Sequence, residues 1–252
     1  MEALLIENSV TITPFSANML TDLPDSNWQV PSEEYSKRRD MRKERIFSID
    51  PLGSMDIDDA ISVKYLPNGN IEIGVHIADV SWFVKKDSLL DVEAKSRGTT
   101  VYLADRKFDM LPGILSEDLC SLREGVDRFA VSVIWEFDAT NFTIINVWYG
   151  RTIINSCHAL YYELAQRIFD EKCSQDEKNK LTDYSQLKKE ISTLIYIARK
   201  IRQDRLDRGA VELESTEIRF ELNSDKNPLN IVPKRGQEIN RVVAEYMILA
   251  NE

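Results

Sequence analysis

Through most of residues 45–150 apolar residues alternate with polar ones or run in short unbroken stretches, and after Tyr161 they switch to helical spacing. The first pattern is that of strands buried on one face or both. Ile61-Ser-Val-Lys-Tyr65 and Ile71-Glu-Ile-Gly-Val-His-Ile77 flank Leu66-Pro-Asn-Gly-Asn70, whose Asn68-Gly69 pair signals a hairpin. A second hairpin is expected around Asp138-Ala-Thr-Asn141, between Phe129–Phe137 and Ile144–Tyr149. Residues Glu163 to Lys172 and Ser185 to Arg208 predict amphipathic helices. In the longer one Leu187, Ile191, Leu194, Ile195, Ile197 and Ala198 line the buried side, and Gly209 ends it. A strand pair follows around Val211–Leu222 and Leu229–Val232, then a helix from about Gln237 that reaches Glu252 without a breaker, so the chain is expected to stop inside an element. Residues 1–30, with Pro14, Pro24 and Pro31, read as the end of a small β module running into a linker. The expected class is α+β, with mixed and antiparallel sheets packed against helices.

Length and composition narrow the class. At 252 residues with 43% hydrophobic content, the chain has ample material for a buried core. No stretch reaches the length of a membrane-spanning helix, and the acidic break in Met1-Glu-Ala-Leu-Leu-Ile-Glu7 does not suit a signal peptide. An intracellular, non-membrane protein is expected. Cys120, Cys157 and Cys173 are odd in number and widely spaced, as free thiols in a reducing compartment would be. A net charge of −10 argues against a protein that coats nucleic acid, yet a narrow channel for one strand depends on local charge only. Basic residues do cluster in Lys37-Arg-Arg-Asp-Met-Arg-Lys43 and Arg45, which reads as a solvated linker or as a phosphate-contacting patch.

Between Asp50 and Asp59 the chain places four aspartates in ten residues, Asp50-Pro-Leu-Gly-Ser-Met-Asp56-Ile-Asp58-Asp59. Carboxylates so close resist joint ionisation unless a cation sits among them, which points to a hard divalent ion such as Mg²⁺. The other reading is a solvated acidic turn, since Asp, Gly and Pro all favour turns. Strand-like residues on both sides favour the first, because loops between buried strands are where rigid scaffolds carry catalytic groups. An EF-hand is excluded: with Asp56 first, its required Gly would be Ile61 and its bidentate Glu would be Pro67. Along an extended chain Asp56 and Asp58 share a face and Asp59 points to the other, so joint ligation needs irregular backbone here. His76 reads as a structural histidine in a buried strand and Cys120 as a buried thiol.

Six segments in order, Asp50-Pro-x4-Asp56-Ile-Asp58-Asp59-Ala60, Gly74-Val-His-Ile-Ala-Asp-Val80, Thr100-Val-Tyr-Leu103, Asp109-Met-Leu-Pro112, Leu119-Cys-Ser-Leu122 and Glu245-Tyr-Met-Ile-Leu-Ala-Asn251, resemble the RNB catalytic domain of the RNase II/RNase R family. The resemblance runs from residue 45 to the last residue. Val147–Ile154, Gly209–Leu213 and Met247–Asn251 are most similar to the eukaryotic exosome-associated branch, the Dis-three-like exonucleases. Residues 1–44 resemble the end of the cold-shock-type OB barrel, with its linker, that precedes the family's catalytic domain, so 45–252 would be the N-terminal part of that domain. The resemblance implies a hydrolytic 3′→5′ exoribonuclease that threads single-stranded RNA into a channel and releases nucleoside 5′-monophosphates. It implies Mg²⁺, or Mn²⁺, held by Asp50 and Asp59 with Asp56 assisting, and Asp58 as the carboxylate whose loss most harms catalysis. Tyr102 would stack on the RNA 3′ end, Tyr162 would contact the terminal nucleotides, and Glu245 would contact ribose; from the residues alone each tyrosine also reads as a core or strand-surface aromatic. The implied partners are RNA and the exosome core, and the implied compartment is the cytoplasm, with the nucleus as an alternative. The family's domain continues past the point where this sequence ends, with an arginine for the scissile phosphate that nothing between Met1 and Glu252 replaces. Two rivals remain open: a catalytically silent RNA-binding or exosome-scaffold protein of the same fold, and a metal-dependent phosphohydrolase acting on small molecules.

Overall fold

The computed structural model describes residues 2–8, 10, 13–21, 23–103, 106–181, 183–212, 218–223, 228–233 and 236–252. Its strands in chain order are β1 Arg39–Asp40, β2 Ile46–Asp50, β3 Asp59–Tyr65, β4 Ile71–Ala78, β5 Val101–Tyr102, β6 Lys107–Phe108, β7 Asp127–Phe137, β8 Ile144–Asn155, β9 His158–Tyr161, β10 Ile218–Leu222 and β11 Pro228–Pro233. The α-helices are α1 Glu2–Glu7, α2 Ala17–Leu20, α3 Leu89–Arg97, α4 Tyr162–Phe169, α5 Gln175–Lys180, α6 Tyr184–Asp207 and α7 Glu238–Asn251. The chain forms two compact units. One takes Met1–Trp28, Asp79–Cys120 and Glu214–Arg235; the other takes Gln29–Ala78, Ser121–Leu213 and Gly236–Glu252.

The second unit is organised by a seven-stranded sheet in the order β1-β8-β7-β4-β3-β2-β9. Its inner pairs are antiparallel and its outermost pairs, β1 with β8 and β2 with β9, are parallel. Both hairpins form where the turn signals place them. Gly69 adopts φ 89° between β3 and β4, with Leu66 N–H donating to Asn70 C=O, and Asp138 N–H donates to Thr143 C=O between β7 and β8. One sheet face packs on α4, α6 and α7 through Phe47, Ile61, Val63, Ile73, Val75 and Trp135. All six residues expected on the inner side of α6 are buried there, and Gly209 closes the helix at φ 98°.

The opposite sheet face carries a buried polar row. Across it His76 Nδ1 lies 2.7 Å from Ser132 Oγ, His76 Nε2 lies 2.9 Å from Ser62 Oγ, and Ser132 Oγ lies 2.7 Å from Thr152 Oγ1. A Cβ at Gly74 would fall 2.5 Å from Ser62 Oγ and 3.0 Å from His76 Nε2, so glycine leaves the room in which that row forms. His76 is fully enclosed, and burial pushes its pKa down to about 3, which makes it the structural histidine its strand position implied.

In the first unit Phe83 meets Trp28 and Trp82 edge to face, and the two tryptophans lie tilted to each other, with centroids 4.9–5.3 Å apart. Cys120 is buried there, as expected of an inert thiol. Helix α3 departs from the strand-and-turn reading of residues 45–150; Ser88 Oγ caps it by accepting from Asp91 N–H, and only Leu90 and Ala94 are buried, too few to show a period. The barrel end expected at residues 1–44 is not found among the described residues, which there form α1, α2, a 3-10 turn at Ser32–Ser36 and the two-residue β1. The strand pair expected around Val211–Leu222 and Leu229–Val232 is present as β10 and β11; Val211 and Glu212 are not in a strand, and residues 213–217 lie outside the described set.

Candidate active site

Asp50 is the last residue of β2 and Asp59 the first of β3, so the acidic loop joins two adjacent strands. It opens with a turn in which Ser54 N–H donates to Pro51 C=O and Gly53 adopts φ 84°. From Ser54 to Asp58 the backbone is irregular, as joint use of Asp56, Asp58 and Asp59 requires. Ile57 anchors the irregular stretch by burying its side chain, while Asp58 faces outward.

The loop is electrostatically strained. Burial pushes Asp50 up to about 7, and the charges of Asp59, Asp58 and Asp56 push the same way. Asp59 is raised to about 6, by burial first and by Asp58 second. The structure thus gathers all four aspartates into one electrostatic neighbourhood. Asp50 Oδ2 is buried without a hydrogen-bond partner; the Ser48 hydroxyl lies near enough to ease the shift, yet its own Oγ also lacks a geometrically sound bond. A cleft of about 120 Å³ lies beside this pair, lined by Ser48, Asp50, Pro51, Gly53, Ala159 and Tyr161. A buried, unpartnered carboxylate oxygen among three further carboxylates has the chemistry of a hard divalent-cation site. Among the described residues no three His, Cys, Asp or Glu side chains close into a metal-holding group, so the donor set fits Mg²⁺ in kind while its side chains stay apart.

Tyr162 reaches the same neighbourhood. Asp50 pairs with Tyr161 in the β2–β9 register, which sets Tyr162 at the first position of α4. Burial raises its hydroxyl to about 12, helped by the charges of Asp59 and Asp50. Glu245, on α7, is 5% exposed and is gripped by Arg205 of α6, with Nη2 2.8 Å from Oε1 and Nε 3.2 Å from Oε2. Tyr102 lies on β5 of the first unit with its side chain well exposed.

The basic cluster before the loop has a role that neither reading foresaw. Lys37 and Arg38 pair with Glu34, Arg42 pairs with Asp40 and Asp127, and Arg45 pairs with Asp183 and the fully buried Glu190. These cations bind this chain's own carboxylates. Sequence reasoning also missed Ser121, whose Oγ donates to Met55 C=O at 2.7 Å and accepts from Ile57 N–H at 3.1 Å. Its one visible sign was its place in Leu119-Cys-Ser-Leu122.

Comparison with known proteins bears on the family of the chain. A profile of the RNB domain matches residues 38–252. The chain is 44% identical, over 99% of its length, both to the DIS3-like exonuclease 2 and to the exosome complex exonuclease dis3 of Schizosaccharomyces pombe, and spans 27% and 26% of those proteins. It is 40% identical over its whole length to an Arabidopsis thaliana protein named inactive exonuclease DIS3L2, of which it spans 24%. RNase R of Mycoplasma genitalium, solved with ribose-methylated single-stranded RNA, superposes with a TM-score of 0.85 at 24% identity, over 100% of this chain and 38% of that one, and shows the common fold. The acidic loop between β2 and β3, the sheet that carries it and the profile match across residues 38–252 together make this chain a member of the RNB-domain family of exoribonucleases.

Proposed function

We propose that the chain is part of a Mg²⁺-dependent 3′→5′ exoribonuclease that hydrolyses single-stranded RNA to nucleoside 5′-monophosphates. The observation that carries this reading is the Asp50 carboxylate, whose buried Oδ2 has no hydrogen-bond partner and which is raised to about 7 among Asp56, Asp58 and Asp59. In this reading Asp50, Asp56 and Asp59 hold the divalent ion, with Mn²⁺ as a substitute, and Asp58 is the catalytic carboxylate. A bound divalent ion would supply Lewis-acid activation of water and charge neutralisation at the scissile phosphate. Tyr162 sits where the field of Asp50 and Asp59 is felt, suiting contact with the terminal nucleotides. The exposed Tyr102 ring suits base stacking, which tolerates any sequence. Glu245 contacts ribose, its carboxylate held in one orientation by Arg205. Residues 1–44 belong to the end of a cold-shock-type module, and the whole protein works in the cytoplasm beside the exosome.

A second reading, RNA binding without hydrolysis, is favoured by the carboxylates not closing on one another. Release of mononucleotides from a 3′-overhang RNA by the full-length protein decides between them. Asp58→Asn should lower turnover by about 100-fold or more while RNA affinity holds, because one neutralised carboxylate disturbs the reacting water without altering the RNA path. Undiminished turnover in that variant, or full activity in excess EDTA, removes the metal-dependent reading, and binding that does not depend on RNA length moves the site to small-molecule phosphates.

A further inference from the structure

We infer that Ser121 is a positioning residue for the acidic loop: its single hydroxyl fixes the backbone on both sides of Asp56 and so sets where Asp56 and Asp58 point. The inference rests on the metal-dependent reading above for its consequence and on geometry for its cause. Between the turn at Pro51–Ser54 and the start of β3, residues 55–58 lack a strand partner. A hydroxyl replaces that partner. Ser121 Oγ donates to Met55 C=O at 2.7 Å and accepts from Ile57 N–H at 3.1 Å, so Asp56 is the residue spanned by the two bonds. Two backbone bonds continue the hold, Leu122 N–H to Ile57 C=O and Ala78 N–H to Asp58 C=O, each 2.9 Å.

Ser121 is itself held. It is fully buried, and its carbonyl accepts from Arg128 Nε at 3.0 Å; Arg128, on β7, is 4% exposed. The loop's registry is thereby tied to the start of β7 in the sheet. This matters because the four carboxylates repel one another: a loop with a free backbone would relax by splaying them, and the hydroxyl opposes that relaxation at the point of highest charge density. Groups that orient ligands from behind commonly change metal affinity by about 10–100-fold when removed.

Two measurements on the 252-residue chain test this. Mn²⁺ titration followed by electron paramagnetic resonance should show Ser121→Ala binding about tenfold or more weakly than wild type, with Ser121→Thr restored toward wild type because it keeps the hydroxyl. Ser121→Cys keeps the volume with a weak donor and should fall with Ser121→Ala, which guards against an effect of a cavity alone. Amide exchange should show the Ile57 N–H less protected in Ser121→Ala, with protection in β4 and β7 unchanged. Equal Mn²⁺ affinity in wild type and Ser121→Ala overturns the inference, and so does equal protection of Ile57. If wild type binds no Mn²⁺, the metal-dependent function fails; loss of Ile57 protection in Ser121→Ala would still establish the clamp.

Discussion

Asp50, half-buried, and His76, fully buried, are titratable residues of one sheet, and their effects on stability run in opposite directions with pH. Asp50 in the folded chain is raised to about 7 from an ordinary value near 3.8, so the folded state holds the proton more tightly than the unfolded state. Its contribution is present at low pH and is lost as pH rises through about 7. Asp50→Asn should therefore stabilise the metal-free chain at pH 8 by about 1–3 kcal/mol and have little effect at pH 4, read by urea denaturation at both values. The same substitution should cancel any stabilisation by Mg²⁺, because it removes the cation's attraction. His76 is depressed to about 3 from 6.5, so below pH 6.5 the unfolded chain takes up a proton that the folded chain refuses. Stability contributed by neutral His76 is lost as pH falls from about 6.5 toward 3. In the Asp50→Asn, Asp59→Asn background, where both raised carboxyls are gone, the midpoint of urea denaturation should fall on acidification through that window. A midpoint that stays flat would mean that His76 is not held neutral by burial.

Among the elements, the join between β2 and α6 is set by charge. Arg45, the residue before β2, bonds Glu190 through Nε at 2.7 Å and Nη2 at 3.1 Å, and Glu190 also accepts from Gln186 Nε2. Glu190 has no exposure to water, so removing its cation leaves a buried charge uncompensated. Arg45→Met is expected to cost about 3–5 kcal/mol in chemical denaturation, and pairing it with Glu190→Leu should recover much of that loss, since replacing both charges with apolar groups avoids the desolvation cost. If the double variant is no more stable than Arg45→Met, packing rather than charge holds the two elements together. The effect bears on the candidate site because β2 delivers Asp50 and its parallel neighbour β9 delivers Tyr162.

At the scale of the whole molecule, the outer edge of β8 is open among the described residues: β1 pairs with it only at Thr152 and Ile153, and Ile145, Val147 and Tyr149 are exposed along residues 144–151. A long apolar edge invites strand addition between molecules. Val147→Lys with Tyr149→Lys should reduce light scattering on concentration while leaving thermal stability close to wild type, since both side chains already face water. Unchanged scattering would place self-association elsewhere. By itself the sequence determined the acidic loop, both hairpins, the buried stripe of α6 and the start of the last helix, because turn chemistry and hydrophobic period are local properties of a few consecutive residues. It did not determine β9, four residues long and given its place only by parallel pairing with β2, nor α3, whose two buried residues show no period. Nor did it reveal that Arg45 meets Glu190 across 145 residues, or that Ser121 holds the loop from 64 residues beyond Ile57. Such partners are chosen when the sheet and its helices close around the core. The tertiary structure alone decided them, because a buried charge or a strandless backbone takes the partner that closure brings within reach, and nothing in the neighbouring residues specifies which that will be.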